Sequence, residues 1–268
     1  MDMTKNVLGV IGVGELAGAF IRALAASGTD NIFYLSPRGM TISELSISGL
    51  ADRECEEARL MRLDTNQSVA DRCQTLLIGV RPGQLEDLAT ELTLTSTHHL
   101  LVLAAGVTHK QLETIFYPAR VTRAMAGLAV AEGRSAISIY PCDEVAMNLL
   151  SAACSKVVDF DDELSFDASI LAVCANAWWL AQLDQMINWM HSETGMDWHQ
   201  AKALLVANHA DVSALLSSNP DQTPAQIADR IGTPGTYTAQ GMHELDQMGC
   251  HDNWCDVLSN ILKKINKN

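Results

Sequence analysis

Through the first 160 residues, short apolar runs alternate with stretches whose apolar positions recur at helical spacing. The runs at 7–11, 32–35, 59–62, 75–80, 100–104, 121–125, 136–140 and 156–160 predict strands, and the intervals 15–26, 42–50, 84–92 and 144–153 predict helices. Strands separated by helices of this length imply parallel pairing, since a parallel neighbour is reached only by a crossover. Past residue 160 the strand pattern stops. From Phe166 onward the chain reads as helical, broken near Gly195, at Ser218-Asn219-Pro220 and at Gly232-Thr233-Pro234-Gly235. The expected fold is therefore α/β, a doubly wound parallel sheet over 1–160 followed by an all-helical C-terminal domain over 161–268.

The first strand runs straight into Gly12-Val13-Gly14-Glu15-Leu16-Ala17, the Gly-x-Gly-x-x-Ala pattern of a Rossmann-type dinucleotide site. Gly12 permits the tight turn and Gly14 lets backbone approach a pyrophosphate. Ala17 is small enough for the helix to sit close on the strand, and the free N–H groups of that helix meet the phosphates. The end of the next strand selects the cofactor. An NAD site places an acid there for the ribose 2′-hydroxyl, whereas this chain reads Ser36-Pro37-Arg38-Gly39. A hydroxyl and a permanently charged, planar guanidinium suit a 2′-phosphate, so NADPH is expected over NADH. The same four residues are also ordinary turn chemistry. Val80-Arg81-Pro82-Gly83 and Ala104-Ala105-Gly106 end two further strands, so these segments face one cleft.

Composition changes the picture little. The chain has 268 residues, 48% hydrophobic and 19% charged, with a formal net charge of −14. Such a surface repels nucleic acid and anionic membranes, and neither is an expected partner. Residues 7–14 are apolar but carry glycines in a functional pattern and no small-residue cleavage site, so a cytoplasmic protein is expected. The charge-free stretch 168–183 falls short of a membrane span and contains Asn176 and Gln182, which reads as a buried helix. Its Trp178 and Trp179 mark packing, and a helix so apolar in a small helical domain predicts a homodimer or larger homo-oligomer. Seven cysteines, at 55, 73, 142, 154, 174, 250 and 255, form no Cys-x-x-Cys and suggest small buried thiols in a reduced compartment. Cys250-His251 and Cys255 match no zinc spacing, and no metal is expected. The eight histidines form no ligand pattern and are expected on the surface or packed on helices. Asp161-Asp162-Glu163 read as acids in the first turn of a helix.

The order of these motifs resembles pyrroline-5-carboxylate reductase, from about residue 7 to about residue 246. Gly12-Val13-Gly14-Glu15-Leu16-Ala17 and Ser36-Pro37-Arg38 match its cofactor half, and Asn66 stands where the family has a cofactor-contacting Asn. Val80-Arg81-Pro82 occupies the place of a Val-Lys-Pro segment, and Ala104-Ala105-Gly106-Val107 matches an Ala-Ala-Gly strand end. The C-terminal half departs in detail. Arg123-Ala124-Met125-Ala126-Gly127 lacks the Pro and Asn of the family's Arg-x-Met-Pro-Asn. Phe166-Asp167-Ala168 aligns with the start of the substrate helix, whose Gly-Ser-Gly-Pro-Ala is replaced by Cys174-Ala175-Asn176-Ala177-Trp178. The Pro-Gly-Gly-x-Thr turn appears as Pro234-Gly235-Thr236-Tyr237-Thr238.

The resemblance implies an NADPH-dependent reductase acting on the C=N bond of a small cyclic imino acid. It assigns Gly12, Val13, Gly14, Glu15, Leu16, Ser36, Arg38, Asn66, Val80, Arg81, Pro82, Ala104, Ala105 and Gly106 to the cofactor. Met125, Asn176, Ala177, Gly235, Thr236, Tyr237 and Thr238 fall to the substrate, with Thr238 beside the imine nitrogen. The plainer reading of Thr238 is a helix cap. Two other functions compete. A non-catalytic NADP-binding protein fits the altered substrate segments. A 3-hydroxyacid dehydrogenase would need a Lys on the helix after the boundary, and no Lys occurs between Lys156 and Lys202.

Overall fold

A computed structural model describes residues 6–27, 31–45 and 59–265. Strands β1 (Asn6–Ile11), β2 (Asn31–Leu35), β3 (Leu60–Arg62), β4 (Thr75–Ile78), β5 (His99–Val102), β6 (Arg120–Ala126), β7 (Ala136–Tyr140) and β8 (Lys156–Asp159) form one sheet, ordered β3-β2-β1-β4-β5-β6-β7-β8. The order reverses at β1, which pairs in parallel with β2 on one side and β4 on the other. That reversal is where a doubly wound sheet opens a crevice.

The sheet is the parallel-dominated one expected, with one antiparallel pairing: β6 runs against β7, Arg123 opposite Tyr140. The physical reason is the connection. Residues 127–135 hold only a short 3₁₀ turn (Leu128–Glu132), too little for a crossover helix. Elsewhere the period-2 pattern buries both faces. Leu76, Ile78, Leu100 and Val102 join one core layer, while Leu77, Leu101 and Leu103 join the other.

The helices of this part are α1 (Glu15–Ala26), α2 (Ile42–Leu45), α3 (Asn66–Ala70), α4 (Leu85–Thr90), α5 (His109–Ile115) and α6 (Glu144–Ser151). Helices α3 and α5 escaped the periodicity reading; Thr65 and Thr108 cap them. Residues 46–50 of the expected 42–50 helix lie outside the described residues.

Helices α7 (Glu163–Thr194), α8 (Trp198–Ser218), α9 (Pro224–Ile231), α10 (Tyr237–Gln247) and α11 (Cys250–Ile265) complete the chain. Two compact units result: one runs through Val173 and includes the chain end from Lys264, the other is Cys174–Lys263. The first turns of α7 belong to the sheet unit, because Arg123 on β6 binds Glu163 and Asp167 there and Phe166 and Ile170 are buried.

The stretch 168–183 is not the buried helix its composition suggested. Only Ile170 and Ala175 in it are buried, and Trp179 is 45% exposed. The 32-residue α7 is also long and apolar enough, by length and composition, to cross a membrane, with a mean hydropathy of 1.3 over its most apolar window. Core helices of soluble proteins pass the same test, and length alone assigns no membrane.

Cysteines and histidines also need correction. Cys73 is buried, and burial pushes its thiol pKa up to about 12. Cys142 and Cys255 are exposed, Cys154, Cys174 and Cys250 are half-buried, and Cys55 lies outside the described residues. His99 is neither on the surface nor on a helix: it is 2% exposed within β5, with Nε2 2.9 Å from Thr122 Oγ1.

Candidate functional site

At the switch point, β1 passes into α1 through Gly12 (φ +84°), Val13 and Gly14. A Cβ on Gly12 would stand 2.7 Å from the Val80 nitrogen, so the turn packs on the end of β4 only with glycine. Gly14 is the N-cap of α1 and offers no side chain to it. Thr65, Thr108 and Asp143 close the N-termini of α3, α5 and α6 with side-chain oxygens. The first N–H groups of α1 are thus left for a ligand, and a Cβ at Gly14 would meet nothing within 4 Å.

Beyond β2, residues 36–40 form a tight loop clamped to that turn. Ser36 is 3% exposed; its hydroxyl accepts from Gly12 N (3.2 Å) and donates to Arg38 O (3.1 Å). The Ser36 hydroxyl is therefore engaged inside the protein, and of the expected pair only Arg38 projects outward. Met40 N donates to Val13 O at 2.8 Å. Gly39 has φ +121°, and a Cβ there would lie 2.3 Å from Val13 O, so only glycine closes the loop this tightly.

A cavity of about 360 Å³ opens here, lined by Gly12, Val13, Gly14, Ser36, Arg38, Asn66, Val80 and Arg81 among others. The structure thus gathers eight of the sequence-assigned cofactor residues at one opening. Arg38 and Arg81 are exposed and form no ion pair among the described residues. In a chain of net charge −14, two cations left unpaired at one cavity make a local anion-attracting field. Asn66 opens α3; its amide donates to Glu91 (2.6 Å), while its buried Oδ1 has no partner.

Other assigned residues sit nearby rather than in this cavity. Glu15 and Leu16 lie in the first turn of α1. Pro82 and Gly106 line a second cavity of about 620 Å³ with Lys110 and Gln111. Ala104 and Ala105 follow β5 just ahead of Gly106. Gly106, Thr108, Arg123, Glu163 and Asp167 line a third, of about 210 Å³. Arg123 is 1% exposed, donates to Glu163 (2.6 Å) and Asp167 (2.7 Å), and stacks 4.5 Å from the Phe166 ring centre. The sequence singled out Arg123 as a motif residue but gave no sign of these partners.

The residues assigned to the substrate are divided. Met125 is buried on β6 in the sheet unit, while Asn176 and Ala177 on α7 and Gly235–Thr238 at the start of α10 belong to the helical unit. Thr236, not Thr238, caps α10: its hydroxyl accepts from Ala239 N (3.2 Å) and donates to Thr233 O (2.8 Å). Thr238 is the exposed second residue of that helix, relieved of the capping duty that was its plainer explanation. Tyr237 beside it is 94% exposed.

Comparison with known proteins agrees with this layout. A family model described as pyrroline-5-carboxylate reductase dimerisation matches residues 163–267, and one described as NADP oxidoreductase, coenzyme F420-dependent, matches residues 7–106. Pyrroline-5-carboxylate reductase from Methanosarcina acetivorans is 23% identical over 257 residues, covering 92% of each chain. The solved structure of 1-pyrroline-5-carboxylate reductase from Streptococcus pyogenes aligns over 98% of both chains with a TM-score of 0.79 at 19% identity. That of the Plasmodium falciparum enzyme with NADP bound aligns over 98% and 97%, with a TM-score of 0.79 at 15% identity. At such identities the structural likeness is one of fold.

Proposed function

Since the chain belongs to the pyrroline-5-carboxylate reductase family, we propose that it is an NADPH-dependent reductase of the C=N bond in a small cyclic imino acid, pyrroline-5-carboxylate or a relative. It works as a cytoplasmic homodimer or larger homo-oligomer. The observation that carries this reading is the cavity at the switch point: an uncapped α1, a glycine with open space above it, and the unpaired Arg38 on a loop without an acid. The NADP-bound structural neighbour supports the choice of cofactor.

The residues present fit NADPH. The N–H groups of α1 beyond Gly14 would hold the pyrophosphate, Arg38 the 2′-phosphate, and Asn66, Val80 and Arg81 the adjoining part of the dinucleotide. When bound, the nicotinamide supplies the hydride. The protein's own share is small: hold the imine carbon in place, anchor the carboxylate, and let a proton reach the nitrogen. The Thr238 hydroxyl orients the imine nitrogen and relays that proton, since a neutral hydroxyl is not itself a strong acid. Met125, Asn176, Ala177, Gly235, Thr236 and Tyr237 are the residues we assign to the substrate.

Assay of NADPH oxidation against a panel of cyclic imino acids tests the reading. Thr238→Ala should lower kcat about 100-fold, the usual scale of one proton-handling group, with NADPH affinity unchanged. Tight NADPH binding with no turnover on any imine would favour the non-catalytic NADP-binding protein. The loss of the Gly-Ser-Gly-Pro-Ala segment at Cys174–Trp178 is the observation on that side.

A further inference from the structure

We propose that Arg62 is a positioning residue for cofactor selectivity, holding the 36–40 loop so that Arg38 meets a 2′-phosphate. The inference rests on the NADPH reading above. Arg62 ends β3, the edge strand, and lies in register with Leu35 at the end of β2. Its guanidinium reaches across the base of the loop. Nη1 donates to Ser36 O and Nη2 to Met40 O, the carbonyls at the loop's two ends. The inner side of the same loop is fixed to the glycine turn by Ser36 Oγ and by Met40 N. The backbone around Arg38 is thereby held from both sides, and its side chain alone is left to project.

The chemistry singles out Arg. A planar fork satisfies two carbonyls at once, which a lysine ammonium on a flexible stem does not reproduce. Both partners are neutral, and Arg62 forms no ion pair among the described residues.

The experiment is a titration of the full chain with NADPH, NADH and 2′,5′-ADP, read by calorimetry, for the unmodified protein, Arg62→Gln, Arg62→Lys, Arg38→Asp and Arg62→Gln/Arg38→Asp. Arg62→Gln should weaken NADPH and 2′,5′-ADP about 10-fold while NADH shifts less than twofold, and Arg62→Lys should fall between. On the Arg38→Asp background Arg62→Gln should add almost nothing, since it acts through that loop. A merely structural brace would weaken all three ligands together, and that result would overturn the inference. So would an Arg62→Gln protein that keeps the full NADPH preference. Equal affinity of the unmodified protein for NADPH and NADH would overturn the cofactor reading itself, and the inference with it. Should Arg62→Gln fail to fold, the Lys variant carries the same comparison.

Discussion

The sheet unit and the helical unit are finished to different degrees within one chain. In the sheet unit, apolar residues of both faces are closed over: Phe20, Phe33, Leu35, Leu76, Leu100, Leu112 and Ile139 are fully buried. In the helical unit Ala175, Ile187, Ala201 and Ile227 are the buried hydrophobics, while Leu180, Trp189, Leu204, Val206 and Val212 lie exposed along α7 and α8. A Trp cluster marks the contrast. Trp178 and Trp179 reach Trp254 at ring-centre distances of 5.9 and 6.4 Å, yet Trp179 keeps nearly half its surface. Apolar surface on this scale is stable in water only when another surface covers it. The sheet unit has the completeness of a domain, and the helical unit that of half an interface, as its match to a dimerisation family implies.

The largest expected effect breaks the closed unit from inside. Arg123 is a buried cation between two carboxylates at the start of α7. Arg123→Ala leaves Glu163 and Asp167, both only partly exposed, without their buried partner, at a cost of about 3 kcal/mol, the low end for a buried pair because water still reaches Glu163. Chemical denaturation followed by exchange of the β-strand amides should show the loss in the sheet unit. The triple variant Arg123→Met, Glu163→Gln, Asp167→Asn should recover much of it, because no charge is then left unpaired. Full stability of Arg123→Ala would mean that the ion pairs do not hold α7 to the sheet.

A somewhat smaller effect separates the units. Trp179→Asp places a charge on the exposed face of α7 and should weaken assembly by about 2 kcal/mol or more, roughly a 30-fold rise in the dissociation constant. Sedimentation should show smaller species, while affinity for NADPH at the site proposed in the sheet unit stays within twofold. An unchanged oligomer would show that this face is covered in some other way.

How much of this was legible in the sequence follows the same division. The sheet and its glycine turn are written in local patterns: strand-length apolar runs, Gly12 and Gly14 at a strand end, and no acid near Arg38. Each signal lies within a few residues of what it positions. The antiparallel β7 was also legible, in the short 127–135 connection, but a count of alternating elements passes over it. What stayed hidden depends on partners distant in the chain. Arg62 serves a loop some 25 residues earlier and follows no motif. Arg123 finds its acids 40 and 44 residues later. Thr236 is the cap because two residues of frame decide which hydroxyl meets Ala239, and periodicity does not resolve two residues. The exposed face of α7 reads as core by composition alone, since composition says what must be covered and not by which chain.

The smallest effect sharpens the comparison by pH, because the closed unit hides a titrating group. His99 sits in β5, with Nε2 on Thr122 and Nδ1 3.6 Å from Asp143 Oδ1. Burial pushes its pKa below the ordinary 6.5, opposed by the attraction of Asp143 and assisted by the charge of Arg120. Well above pH 6.5 the ring is neutral in folded and unfolded chains alike, and His99 adds no pH dependence. Below that value the unfolded chain takes up a proton that the folded chain refuses, so stability falls as the medium is acidified. One such proton sets a limiting slope of about 1.4 kcal/mol per pH unit, and the slope ends once the folded ring itself titrates. Urea titrations between pH 7 and pH 5 should show this slope for the sheet unit, and His99→Gln should flatten it. Assembly through α7 should not follow the same curve, since His99 lies in the other unit. If stability were flat over this range, or if His99→Gln left the slope untouched, the buried ring would not be the group that makes the sheet unit acid-sensitive.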